Sequence, residues 1–258
     1  MSILDMIQKV EPQAPRITLY GVPGVGKSTL ANEFPDALFI LTEENNVVGC
    51  EAFPVCKTLD QLREIIKQLR ELDVIPYKTI VIDSISKLDQ LIIANVIATS
   101  PPGKRGETVS TIAAAYGGYG AGFLKAASLH RAFKAQMDAL AKRGITIIFI
   151  SHIEIKNCKR PDQEDYHVYT LVMNGDASRA VYIDDVDMVG FCKMKSMTVE
   201  TESGRNLIKS LGYRTISVGI TEVHASKNRF SMPDEIPMTF ADIEKYIPFY
   251  TNKKEVTL

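Results

Sequence analysis

An excess of charge of either sign is the first thing this chain lacks. Thirty Lys and Arg stand against 31 Asp and Glu, a net charge of −1. That excludes a histone-like surface or a polybasic tail, so any nucleic-acid contact has to come from local patches. Cysteine is scarce as well. Cys50, Cys56, Cys158 and Cys192 show no C-x-x-C spacing, which argues against a zinc site or disulfide framework and for reduced, buried thiols. No apolar run reaches the length of a membrane span. The start, Met-Ser-Ile-Leu-Asp-Met-Ile-Gln, lacks the basic stretch and long apolar run of a signal peptide. A soluble, cytoplasmic protein without a membrane partner is expected. Tandem repeats and low-complexity tracts are absent too.

What is present is core. The chain has 258 residues, 45% of them apolar, enough for one α/β domain with additions. Short apolar runs at 16–20, 37–41, 77–83 and 145–150 read as strands. Helical spacing of Leu62, Ile65, Ile66, Leu69 and Leu72 predicts a helix over 59–72, with others over 88–98 and 123–142. Continuous apolar strands alternating with helices predict a mostly parallel central sheet flanked by helices. Residues 99–122 read as a long loop. Late in the chain, 187–194 and 213–224 read as adjacent strands around a turn region between Gly204 and Gly212, an antiparallel C-terminal extension.

The chemistry begins at Gly21-Val22-Pro23-Gly24-Val25-Gly26-Lys27-Ser28, a full G-x-x-x-x-G-K-[ST] P-loop between a strand and a helix. Its glycines let successive N–H groups point at one anion. Lys27 can reach the β- and γ-phosphates, and the Ser28 hydroxyl can ligate Mg²⁺. Gly21, Gly24, Val25, Gly26, Lys27, Ser28 and Thr29 are the nucleotide-binding candidates, with ATP and Mg²⁺ as the expected cofactors.

Ile80-Val81-Ile82-Asp83-Ser84 fits the Walker B pattern about fifty-five residues later. Asp83 would hold the metal beside the phosphates, although a strand ending in Asp also commonly just caps the next turn. Hydrolysis needs a group to position or deprotonate water. Glu43 and Glu44, after the second strand, are the nearest acids. Glu43 is the preferred candidate, and a solvated turn is the alternative. His152 closes the fourth strand, expected between the P-loop and Walker B strands, where it can sense the γ-phosphate or simply be hydrogen-bonded in the core. Lys227 and Arg229 flank Asn228 after a strand, either a functional cation pair or a solvated basic turn.

In this order these pieces resemble the RecA-like ATPases, in particular the small phage-encoded proteins of the Sak type linked to single-strand annealing recombination. The resemblance runs from about Arg16 to Pro237. It implies a RecA-like P-loop NTPase domain over 16–250, between an N-terminal segment at 1–15 and a tail at 251–258. Lys227-Asn228-Arg229-Phe230 is similar to the K-N-R-F-G motif of RadA and its relatives, with Ser231 in place of the glycine. The family implies that such cations reach the ATP of a neighbouring subunit, hence self-association into a ring or filament. Lys27, Glu43, His152, Lys227 and Arg229 are thus the catalytic candidates, and Ser28 and Asp83 the metal ligands.

RecA-like proteins contact DNA through two loops. The counterparts here are 99–122, with Lys104, Arg105, Tyr116 and Tyr119, and 155–180, with Lys156, Lys159, Arg160, Tyr166 and Arg179. Cations among aromatics suit single strands, since phosphates need charge and bases can stack. Acids at Asp162, Glu164 and Asp165 dilute the second patch. The resemblance thus implies a DNA-stimulated ATPase on single-stranded DNA, in the host cytoplasm if phage-encoded, with a single-strand binding protein or replication proteins as further partners. There is no room for RecA's large N-terminal oligomerisation element or its C-terminal DNA-gathering domain, so full strand exchange is not expected. A DnaB-type helicase or helicase loader, and an ATP-gated assembly clamp with little turnover, are the competing readings.

Overall fold

A computed structural model describes residues 3–7, 9–44, 47–103, 106–159, 164–200 and 206–252. In chain order the elements that build the site begin with β1 (Arg16–Gly21), α1 (Lys27–Asn32), β2 (Ala37–Leu41) and β3 (Glu51–Ala52). Then come α2 (Leu59–Glu71), β4 (Thr79–Asp83), α3 (Ile85–Ala98), α4 (Ala121–Ala141) and β5 (Thr146–Ser151). They are followed by β6 (Ile153–Cys158), β7 (Tyr166–Leu171), α5 (Asp176–Ala180), β8 (Met188–Glu200), β9 (Asn206–Ser217), β10 (Lys227–Asn228) and β11 (Glu235–Pro237).

One mixed sheet runs β11-β9-β8-β1-β5-β4-β2-β3, with β10 on β8. The strands from β8 to β3 are parallel, while β9, β10 and β11 join antiparallel. This is the expected α/β class: a mostly parallel sheet with an antiparallel C-terminal extension. β5 lies between β1 and β4, as read from the sequence.

The apolar runs are continuous because both faces are covered. Side chains alternate across a strand. In β1, β2, β4 and β5, Tyr20, Ile40, Ile82 and Phe149 pack under α2, α3 and α4. Leu19, Phe39, Val81 and Ile148 pack on the opposite face, with Leu30 of α1 and the C-terminal Met232, Ile236 and Ile243. Each such side chain, fully buried, contributes about 1.5–3 kcal/mol.

Several local expectations need correction. α3 starts at Ile85, three residues before Leu88, because Ser84 caps it and accepts from the Lys87 N–H. α4 starts at Ala121, after the left-handed Gly120. The supposed DNA loop at 155–180 is largely a two-stranded antiparallel hairpin, β6–β7, followed by α5. In β6 the apolar Ile155 is exposed while Glu154 and Lys156 are half-buried. The strand placed at 213–224 runs instead over 206–217, so Gly212 lies inside it rather than in the turn. Gly204 lies outside the described residues. Lys227 and Asn228 form an edge strand on β8, not a free turn. Among the described residues, no helix is long and apolar enough to cross a membrane.

Candidate nucleotide site

The site sits at the carboxyl ends of the parallel strands, where open α/β sheets bind ligands. β1 delivers the P-loop. Gly24 and Gly26 have φ of 76° and 98°, a left-handed backbone that costs little only for glycine. Lys27 is buried, and its Nζ donates to the carbonyls of Gly21 (2.9 Å) and Val22 (3.1 Å). Burial pulls the Lys27 ammonium below its usual range, against the opposing pull of Asp83 and Glu43. Val25 faces the core and Gly21 is buried at the loop's root.

Ser28 Oγ donates to Asp83 Oδ2 at 2.6 Å. Burial raises the pKa of the Asp83 carboxyl, the Ser28 hydrogen bond opposes this, and nearby Glu43 adds to it. A desolvated carboxylate beside a hydroxyl is a hard-oxygen pair suited to Mg²⁺. Among the described residues, no cluster of three or more His, Cys, Asp or Glu could hold a metal alone. Mg²⁺ takes one or two carboxylates and completes its shell with water and phosphate.

Across from this pair stands Glu43. His152 Nε2 lies 2.9 Å from Glu43 Oε1 and 3.1 Å from Oε2. Burial pushes the Glu43 carboxyl up, but hydrogen bonds from His152 and Ser84, with the charges of His152 and Lys87, outweigh it and hold Glu43 below its ordinary range. Thr42 clips the two acidic strand ends together. Its Oγ1 donates to Ser84 O (2.7 Å) and accepts from Ser84 N–H (2.9 Å). His152 is fixed from behind, where its N–H donates to Ser86 Oγ at 3.0 Å, and Ser86 Oγ pairs with Ser151 Oγ at 3.0 Å.

A cleft of about 400 Å³ is thus lined by Gly24, Gly26, Lys27, Ser28, Thr29, Glu43, Glu44, Asp83 and His152. Sequence reasoning missed Thr42, Ser84 and Ser86. An Asp-Ser pair closing an apolar strand, with Ser86 next on, was the available signal. It also missed Arg214, which reaches Gly26 from β9 and has no local signal, because strand pairing brings it there.

Lys227 and Arg229 are not in this cleft. β10 pairs with Val189 and Met188 near the start of β8, level with the first half of β1. Arg229 Nη1 donates to Asp187 Oδ1 at 3.0 Å, and Lys227 Nζ donates to the Asp184 carbonyl. Of the DNA-contact candidates, Tyr119 is fully exposed before α4. Lys156 pairs with Asp176 at 2.6 Å and Lys159 with Asp165 at 3.9 Å, so acids offset both. Arg179 is buried, bonded to Asp176, Glu154 and the carbonyls of Leu171 and Met173, and anchors the hairpin. Lys104, Arg105 and Arg160 lie outside the described residues.

Comparison with known proteins adds a family. The family model described as "AAA domain" matches residues 13–230. Among solved structures, the RadB recombinase is similar over 86% of this chain and 85% of its own, at 12% identity and a TM-score of 0.44. The flagellar accessory protein FlaH from Methanocaldococcus jannaschii is similar over 87% of this chain and 84% of its own, at 13% identity and a TM-score of 0.39. No curated protein matches the sequence.

Proposed function

The chain belongs to the AAA domain family, a P-loop ATPase family, and from that premise we propose that it hydrolyses ATP with Mg²⁺ while acting on single-stranded DNA, in phage-type recombination or annealing. One observation carries the hydrolytic half. Lys27, the Ser28–Asp83 pair and the Glu43–His152 pair line one cleft.

Bound Mg²⁺ would supply charge neutralisation of the β,γ-phosphates, with Ser28 and Asp83 as its protein ligands. Lys27 exchanges the carbonyls of Gly21 and Val22 for phosphate oxygens and stabilises charge on the transferring group. Glu43, held ionised by His152, accepts the proton of the attacking water or orients it. His152 contacts Glu43 and borders the same cleft, so it links the base to whatever occupies the γ-phosphate position. Lys227 and Arg229 serve a neighbouring subunit's site in a ring or filament. Single strands bind through the cations and aromatics of 99–122 and of the β6–β7 hairpin. The resemblance to RecA-like proteins supports these last two elements.

The test is ATP turnover measured with single-stranded DNA, with duplex DNA and with none. Turnover should be Mg²⁺-dependent and rise with single strands, and DNA binding should weaken as salt rises. Turnover indifferent to DNA, with no DNA binding at low salt, would move the protein to the clamp reading. A strand-displacement assay separates it from a helicase.

A further inference from the structure

Arg214 is the place where the antiparallel extension meets the P-loop. It is exposed on β9, and its guanidinium lies against Gly26, where a Cβ on that glycine would fall 2.5 Å from Nη1. Among the described residues, no hydrogen bond or ion pair takes up this guanidinium. An exposed, unpaired cation held against a phosphate-binding loop calls for an account.

The strand order says which end of a nucleotide it faces. The sheet runs β9-β8-β1-β5-β4-β2. His152, Asp83 and Glu43 follow β5, β4 and β2, all on one side of the P-loop strand. Arg214 comes from β9, on the other side. The metal pair and the acid that handles water mark the γ-phosphate end. A nucleotide lying along the loop therefore turns its α-phosphate and nucleoside toward β8 and β9. There Arg214 is paired across the strands with Met194, which is also exposed. Directly opposite residues share one face of a sheet. A guanidinium can fork onto a phosphate or stack on a base, and a thioether adapts to an aromatic ring.

We propose that Arg214, with Met194 beside it, binds the nucleoside end of the nucleotide in the same subunit. The inference rests on the P-loop reading above and adds a residue that determines nucleotide, rather than phosphate, recognition. It also gives the β8–β9 extension a role. Occupancy of the cleft fixes the base of this two-stranded ribbon through Arg214.

Calorimetric titration of the full chain with Mg-ATP, Mg-ADP and Mg-tripolyphosphate tests it. Tripolyphosphate carries the phosphate chain without the nucleoside. Arg214→Ala should weaken ATP and ADP about tenfold or more, leave tripolyphosphate within about twofold, and raise KM with kcat largely kept. An equal loss for all three ligands would place Arg214 on the phosphate chain and overturn the proposal, as would no loss for any. Arg214 is exposed, so the variant should fold, which circular dichroism checks. Arg214→Gln provides the same three comparisons should the alanine variant not fold. Wild-type protein that binds none of the three, while folded, overturns the P-loop reading itself. Wild-type binding with an indifferent Arg214→Ala overturns this inference alone.

Discussion

Glu43 and His152 meet across the mouth of the cleft, with the imidazole Nε2 within 3.1 Å of both carboxylate oxygens. They stand 109 residues apart in the chain, at the ends of β2 and β5, with the Walker B strand β4 between them. Two candidates read separately from the sequence, one for a base and one for a γ-phosphate sensor, form one hydrogen-bonded pair in the structure. The pair has a pH signature. Glu43 sits below its ordinary value of 4.5 because hydrogen bonds from His152 and Ser84 outweigh burial. Its basic form is therefore present throughout the neutral range and is lost only as pH falls through the depressed value. His152→Ala removes part of that support and leaves burial to push Glu43 up. The acid limb of the kcat profile should then move to higher pH. A limb that stays in place, with kcat lowered uniformly, would show that His152 does not act through Glu43.

Asp83 is a carboxylate that burial penalises. Asp83→Asn should therefore leave unliganded protein as stable as wild type or more so, since a desolvated charge is removed. The same variant should lose the rise in Tm that Mg-ATP gives wild type, a linkage effect of about 2.7 kcal/mol at a ligand concentration one hundred times Kd. Thermal scans with and without Mg-ATP check both halves. An Asp83→Asn protein stabilised by Mg-ATP as much as wild type would remove Asp83 from the metal site.

The proposed role of the cation pair between subunits starts from its distance from its own P-loop. Arg229 accompanies Asp187 and Arg16 at the start of β1, whereas the P-loop begins at Gly21. Five residues of strand, roughly 16 Å, separate the two levels. A side chain cannot serve its own P-loop from there, but a neighbour stacked head to tail can receive it. Specific activity should rise with protein concentration, and Arg229→Ala should bind ATP yet hydrolyse it up to about 10³–10⁵ times more slowly. Mixing Arg229→Ala with Lys27→Ala should restore some turnover, because an interface can join an intact P-loop to an intact cation pair. Absence of rescue together with concentration-independent turnover would end the interface assignment.

Asp187 itself is a structural test. Its carboxylate accepts from the Arg16 backbone N–H and from Arg16 Nε and Nη2, all at 2.9 Å, as well as from Arg229. Burial pushes it up, yet the Arg16 hydrogen bonds prevail and hold it below its ordinary 3.8. Its stabilisation is complete above 3.8 and disappears as pH falls through the depressed folded value. Asp187→Asn should cost about 2–4 kcal/mol at neutral pH, and the gap to wild type should close in acid below 3.8. Denaturant titrations at pH 7 and pH 3 measure this. A deficit that persists undiminished in acid would mean that packing, not charge, carries the effect.

The sheet was legible because burial on both faces writes β1, β2, β4 and β5 as unbroken apolar runs, and the P-loop because its spacing follows from phosphate geometry. The β6–β7 hairpin was not. Its Lys, Glu and Asn residues look like a solvated loop until Ile153 and Leu171 are seen to pair. Arg214 was hidden for a different reason. Its place beside Gly26 depends on the long pairing of β8 with β9, and a chain read from one end carries no mark of that register. Lys227 and Arg229 were recognised as a motif, but their level in the sheet emerged only from the pairing of β10 with Met188 and Val189.

The central claim is that one cleft binds ATP through Lys27 and hydrolyses it through Glu43. It is tested most directly by measuring ATP binding and Mg²⁺-dependent phosphate release side by side in wild type, Lys27→Ala and Glu43→Gln. The expected pattern is binding with turnover in wild type, loss of binding or turnover in a folded Lys27→Ala, and retained binding with turnover reduced about 10²–10⁴-fold in Glu43→Gln. Undiminished turnover in both variants would contradict the account. Loss in Glu44→Gln with none in Glu43→Gln would move the base one residue along the turn.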